Sequence, residues 1–126
     1  MSDRIINSQF LDEILFDKSG PLTLYRALGE YAATLTDQTL VAATSGKSIR
    51  LIRAYITTNA NTTFAFRTKP AGAGTLISAA HRLLAATPVL LPTDPTGYWQ
   101  TTVSQGLNID AGAGGNVYID IEYVLL

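Results

Sequence analysis

From residue 30 onward the chain alternates apolar and polar positions in short runs. The clearest run is the last. Val117, Ile119, Ile121, Tyr123 and Leu125 point one way, while Tyr118, Asp120 and Glu122 point the other. That two-residue period is the mark of a half-buried strand. Residues 49–57 form a second strong strand whose inward phase slips between Leu51 and Ile52. Two adjacent apolar positions in an alternating run predict a β-bulge. Phe64 and Phe66 alternate with Ala65 and Arg67. Weaker runs over 31–36 and 38–43 meet at Asp37, where the pattern predicts a break. Runs at 89–91, confined by Pro88 and Pro92, at 98–103 and at 107–109 bring the total to about eight.

Residues 75–86 read both ways. Leu76, Ala80 and Leu83 suit a helix, and Ile77, Ala79, His81 and Leu83 suit a strand; the surrounding strands favour the second. Turns fall at Asn59-Ala-Asn61, at Lys69 to Gly74 and at Thr93-Asp-Pro-Thr-Gly97, where Pro95 presets φ and a glycine follows. So many short strands at regular spacing predict an all-β fold: an antiparallel β-sandwich, jelly-roll-like.

Residues 1–29 read as an arm ahead of a sandwich domain at 30–126. Ile6, Phe10 and Ile14 fall at i, i+4 and i+8 with Leu11 and Leu15 beside them, and Ser8 is placed to cap. This predicts a short amphipathic helix over 9–16, stopped before Ser19-Gly20-Pro21. Its apolar face needs a surface, either its own domain or a neighbour. Ile6, Phe10, Ile14 and Leu15 are therefore candidate partner-binding residues.

Composition narrows the class. At 126 residues the chain is one domain, 47% hydrophobic and only 15% charged, enough to bury a sizeable core. Sixteen threonines add β-branched weight to the strand reading. The low charged fraction leaves more apolar surface than suits a monomer, which predicts a homo-oligomer. There is no cysteine, hence no disulfide framework and no thiolate zinc site. A net charge of −1 argues against nucleic acid as the main partner. No apolar run reaches the ~18 residues of a membrane span, and the N-terminus lacks a signal-peptide core. The expectation is a protein made and used without export.

The charges are segregated. Lys47, Arg50, Arg53, Arg67, Lys69 and Arg82 follow one another with no acid between, and Asp94, Asp110, Asp120 and Glu122 follow with no base. Two readings fit: ion pairs across strands of one chain, or a basic flank meeting the acidic flank of a second subunit.

Candidate chemistry is thin. Ala111-Gly-Ala-Gly-Gly115 invites a phosphate-loop reading, but the third glycine of a dinucleotide fingerprint is replaced by Val117. A strand rather than a helix comes next, so no helix N-terminus is offered to a phosphate. The loop reads as a hairpin turn in which glycines supply positive φ. Gly46-Lys-Ser48 has Val41 where a Walker loop needs glycine. His81 is the lone histidine, too little for a metal site or a triad. Asp120 and Glu122 lie about 7 Å apart on one strand face rather than across a substrate. Tyr98-Trp99 beside a proline turn could stack on a sugar ring or anchor a core or interface. The reading is of no enzyme, with no catalytic, cofactor-binding or metal residues.

From about Leu40 onward, several pieces together resemble small β-sandwich head proteins of tailed bacteriophages. These are Gly46-Lys-Ser-Ile-Arg-Leu-Ile52, Phe64-Ala-Phe-Arg67, Leu90-Leu-Pro-Thr-Asp-Pro-Thr-Gly-Tyr-Trp99, Gln105-Gly-Leu-Asn-Ile109 and the closing tyrosine strand. The texture is similar to that of capsid decoration (cement) proteins and head-fibre bases. The resemblance implies a non-enzymatic virion protein on the capsid surface, made in the host cytoplasm. It would bind the major capsid protein and itself, usually as a homotrimer. The alternative is a fibre or tail module in which Tyr98, Trp99 and the glycine loop recognise a glycan or receptor.

Overall fold

The computed structural model describes residues 16–17, 20–32, 34–69, 74–94, 96–112 and 115–126. In chain order the strands are β1 (Phe16–Asp17), β2 (Gly20–Pro21), β3 (Tyr25–Ala32), β4 (Leu35–Val41), β5 (Ile49–Thr58) and β6 (Thr62–Lys69). They continue as β7 (Thr75–Leu76), β8 (His81–Leu83), β9 (Val89–Leu91), β10 (Gly106–Ala111) and β11 (Asn116–Leu125). No helix occurs among the described residues. β1 and β2 pair only with each other. The remainder form two antiparallel sheets, β3-β11-β5-β9 and β4-β10-β6, with β7 and β8 sharing the far side of β6. Each of the turns from β3 to β4, β4 to β5, β5 to β6, β8 to β9, β9 to β10 and β10 to β11 crosses from one sheet to the other. That is the jelly-roll strand order, as the spacing of short strands predicts.

Alternation builds the core. The inward phase of β5 and β11 brings Ile49, Leu51, Ile56, Val117, Ile119 and Ile121 against Phe64, Phe66, Leu107 and Ile109 from the other sheet, all of them buried. The predicted slip in β5 is a bulge at Ile52: Glu122 pairs with Arg53 and Tyr123 with Leu51, so Ile52 is passed over. Ile52 thereby turns to the outer face. There it packs with Val124, Leu22 and Leu126 in a small second cluster.

Several boundaries differ from the sequence pattern. The sandwich takes residues assigned to the arm, because β3 begins at Tyr25 and pairs with β11 without interruption from Tyr25 to Ala32. Asp37 is not a break. It lies inside β4 with a φ of 50°, at one of two register shifts against β10, so the chain absorbs the irregularity as a bulge and continues. Residues 75–86 split into β7 and β8 with bends between them. Residues 98–103 are not a strand. They hang on the start of β5 through Leu51 N–H to Trp99 O (2.9 Å) and Thr101 N–H to Ile49 O (2.9 Å). The Thr101 hydroxyl takes the Ile49 N–H at 2.9 Å where a ladder carbonyl would stand.

The glycine loop is not a hairpin either, since β10 and β11 belong to different sheets. Nor do Gly112 and Gly115 adopt positive φ; each is glycine because another residue comes close. A Cβ on Gly112 would lie 3.0 Å from Thr63 Oγ1, and one on Gly115 would lie 1.6 Å from Asn59 Oδ1. The predicted helix over 9–16 lies outside the described residues except for Phe16, which belongs to β1. The candidate partner-binding residues Ile6, Phe10, Ile14 and Leu15 lie outside them as well.

Candidate functional site

Tyr98 and Trp99 are brought together by the loop that follows the Thr93–Gly97 turn. Asp94 organises that turn: its carboxylate accepts from the Thr96 hydroxyl (2.7 Å) and from Thr96 N–H (3.0 Å), and these bonds hold its carboxyl below the usual carboxylate range. Gly97, at φ 83°, closes it. The Tyr98 hydroxyl donates to Pro92 O at 2.5 Å, which ties the ring to the end of β9. Burial, with help from the Asp94 charge, pushes that phenol up. The Trp99 ring stands 5.3 Å from Phe66, 5.9 Å from His81 and 6.0 Å from Tyr98, centroid to centroid.

These rings close one end of a cavity of about 310 Å³ between the edges of the two sheets, walled by Ile56, Phe66, Leu83, Val89 and Leu91. It sits at the lower end of the size range of small-ligand sites. His81 lies in phase with the buried Leu83 and faces the same cavity, where its neighbour is an indole. The arrangement can stack on a flat apolar face; it supplies few polar groups to orient one.

The second region is the outer face of the sheet β3-β11-β5-β9. Asp120 is held by Arg26 through two hydrogen bonds, Nε to Oδ1 at 3.0 Å and Nη2 to Oδ2 at 2.6 Å. Arg53 lies 3.6 Å from Asp120 and 3.7 Å from Glu122. The Arg26 bonds, then its charge and that of Arg53, hold the Asp120 carboxyl below the usual range against the opposing effect of burial. Carboxylates so engaged are kept ionised, which suits an ion-pair ladder rather than a general acid. Segregated charge along the chain thus becomes pairing across strands, and Arg67 with Asp110 repeats it in the other sheet.

One cross-strand row on this face is apolar apart from Asp120. Leu28 lies opposite Asp120, Asp120 opposite Tyr55, and Tyr55 opposite Leu90. Leu28 is 66%, Leu90 56% and Tyr55 38% exposed. The sequence pattern does not single out these three. A signal is present in Arg26, Leu28 and Glu30, alternating at the start of the sandwich, but the boundary drawn at residue 29 cuts through it and leaves Arg26 and Leu28 in the arm.

Among the described residues no group of three or more His, Cys, Asp or Glu side chains is placed to hold a metal ion, and no helix is long and apolar enough to cross a membrane. No family model matches the chain, and neither does any curated protein or solved structure.

Proposed function

We propose that the protein is a non-enzymatic structural component of a virion, a decoration (cement) protein that binds the major capsid lattice and stabilises it. The observation that carries this reading is the row Leu28–Tyr55–Leu90, broken only by Asp120, on the outer face of a four-stranded sheet. Large apolar side chains left in water beside an ion-pair ladder mark a surface that gains from being covered. Such a surface suits a cement protein, whose task is to bury area between subunits that internal pressure separates. The jelly-roll order and the sequence resemblance support the same reading.

The test is co-sedimentation of the purified protein with undecorated capsids of the phage that encodes it. The wild type should sediment with them. A Tyr55→Lys/Leu90→Lys double variant should keep its melting temperature and lose capsid binding. Failure of the wild type to bind would overturn the proposal.

The aromatic cavity favours a second reading, a glycan- or receptor-binding module, because Trp99 and Tyr98 are fixed in place at its end. A glycan array with the wild type and Trp99→Ala separates the two. Glycan binding that Trp99→Ala abolishes, together with no capsid binding, would favour the second.

A further inference from the structure

The edges of the two sheets are not treated alike. An exposed strand edge offers unpaired N–H and C=O groups to any passing strand, and proteins blunt such edges with short strands, prolines, bulges or lysines. Three edges here follow that rule. β9 has three residues between Pro88 and Pro92. The edge beyond β6 carries only the two-residue β7 and the three-residue β8. β4 is bent by two register shifts.

Among the described residues β3 has none of these devices and no strand on its free side. It runs for eight residues with no proline, no lysine and no bulge, and its ladder with β11 is regular throughout. Its outer face carries Leu28, the most exposed of the large apolar side chains described.

We infer that β3 pairs antiparallel with β3 of a second copy of this chain, across a two-fold axis at Leu28. Register selects that axis. A slip of one residue would exchange the faces, so only every second register keeps outer side chains with outer ones. Centred on Ala27, Arg26 would face Leu28; centred on Gly29, Leu28 would face Glu30. Centred on Leu28, Arg26 of each copy faces Glu30 of the other, twice, and the two leucines cover each other. Glu30 makes no hydrogen bond or ion pair within the described residues, so it is available for this contact. Arg26 keeps its bonds to Asp120 on the neighbouring strand. On the inner phase Ala27 meets Gly29, which leaves room for Tyr25 beside Tyr31. The pairing joins two four-stranded sheets into one of eight and brings the two outer rows end to end at the paired Leu28 side chains, with Asp120 of each copy interrupting its own row. It does not depend on the capsid reading. An isologous contact of this kind gives dimers rather than the trimers the resemblance implies.

The chain has no cysteine, so a single introduced thiol reports one contact. Leu28→Cys places two thiols directly opposite, with Cβ atoms about 4.5–5.5 Å apart, close enough for a disulfide after small adjustment. Mild oxidation should give a covalent dimer of twice the 13.5 kDa chain, whereas Leu90→Cys, at the far edge, should not cross-link. Sedimentation equilibrium of the wild type should show the same dimer. Glu30→Arg, at an exposed position without a partner among the described residues, should keep the melting temperature and weaken dimerisation about tenfold or more, because it sets arginine against arginine twice. A wild type that stays monomeric at tens of micromolar would overturn the inference. So would an oligomer that Leu28→Cys fails to trap, a trimeric mass, or a dimer indifferent to Glu30→Arg.

Discussion

The outer faces of the two sheets obey different rules. On β3-β11-β5 the outward phase goes to water except at one end, where Ile52 and Val124 are covered by Leu22 and Leu126. Arg26, Asp120, Arg53 and Glu122 form a ladder there, and alternation in the sequence maps directly onto in and out. On β4-β10-β6 the middle of the outward phase is covered, around Ala65 and Asn108, while Thr63 stays exposed. Ala65 and Asn108 are buried although they point away from the core. Asp37, Arg67 and Asp110 form a partly buried cluster under the backbone of Gly74. Asp37 N–H donates to Asp110 Oδ1 at 2.8 Å, and Gly74 N–H donates to Asp37 Oδ2 at 3.2 Å. Arg67 donates to both the Asp110 carboxylate and Gly74 O, and the Asn108 amide donates to Asp37 O at 2.9 Å. Charge on the first face decorates a regular ladder; charge on the second fixes an irregular one. The αL residue and the register shift of β4 lie where this cluster grips the strand.

The change that should break this contrast most sharply is Arg67→Met. It keeps apolar bulk but removes the cation shared by Asp37, at 3.8 Å, and Asp110. Taking one partner from a buried charge network costs about 3–5 kcal/mol. With the Arg67 side chain 24% exposed, screening reduces this to about 2–3 kcal/mol. Chemical denaturation gives the value. A loss no larger than that of a surface arginine would show that the covered face is not organised by this cluster.

Next in size is the bond that closes the end of the β5–β11 pair within one sheet. Asn59, after β5, lends its Oδ1 to Asn116 N–H at 2.6 Å, at the start of β11. Gly115→Ala would drive a methyl into that oxygen and break the bond, costing about 1–2 kcal/mol. Asn59→Ala should cost a similar amount. Adding Gly115→Ala to it should then cost little, because the clash has gone; two additive losses would refute the assignment.

Legibility follows the same divide. In β5 and β11 the sequence displays the strand period, and even the bulge at Ile52 is visible as two consecutive apolar positions; β3 hides it, because its outward phase holds Leu28 and its inward phase Ala27 and Gly29. Where the outer face is covered, the pattern misleads. Asp37 looks like a break because its carboxylate serves as a bulge anchor, and only the fold brings Asp110 and Arg67 to it. The stretch 98–103 alternates like a strand, but the Thr101 hydroxyl substitutes for the ladder. The glycine loop looks like a turn needing positive φ, whereas the need at Gly115 is room for Asn59, 56 positions away in sequence. Tyr98 and Trp99 are recognisable as an aromatic pair. That Phe66 and His81 complete their cluster depends on sheet pairing, which local spacing does not encode.

A smaller effect tests the ladder on the exposed face through pH. Asp120 is held below its ordinary value of 3.8, first by the hydrogen bond from Arg26. A carboxylate depressed in the folded state stabilises above its unfolded value, and that contribution fades as pH falls through the folded one. The wild type should therefore exceed Asp120→Asn in stability at pH 7 by an amount that stays level while pH is well above the ordinary value of 3.8 and fades as pH falls below it. A gap between the two that grew on acidification would reverse the sign and refute the ladder.

The smallest expected effect is the most direct comparison of the two faces. Arg53 is as enclosed as Arg67, its side chain 26% exposed, yet it makes only the longer ion-pair contacts of 3.6 and 3.7 Å. Arg26 also holds Asp120 independently. Arg53→Met should thus cost under about 0.5 kcal/mol at 0.1 M salt, as exposed pairs do. At about 1 M salt, where the screening length falls to roughly 3 Å, the cost should vanish. The loss from Arg67→Met should survive the same salt, because short hydrogen bonds in a covered cluster are poorly screened. Denaturation midpoints of both variants at the two salt concentrations decide the matter. Equal salt sensitivity would mean that both clusters are surface electrostatics and that the bulge in β4 has another cause.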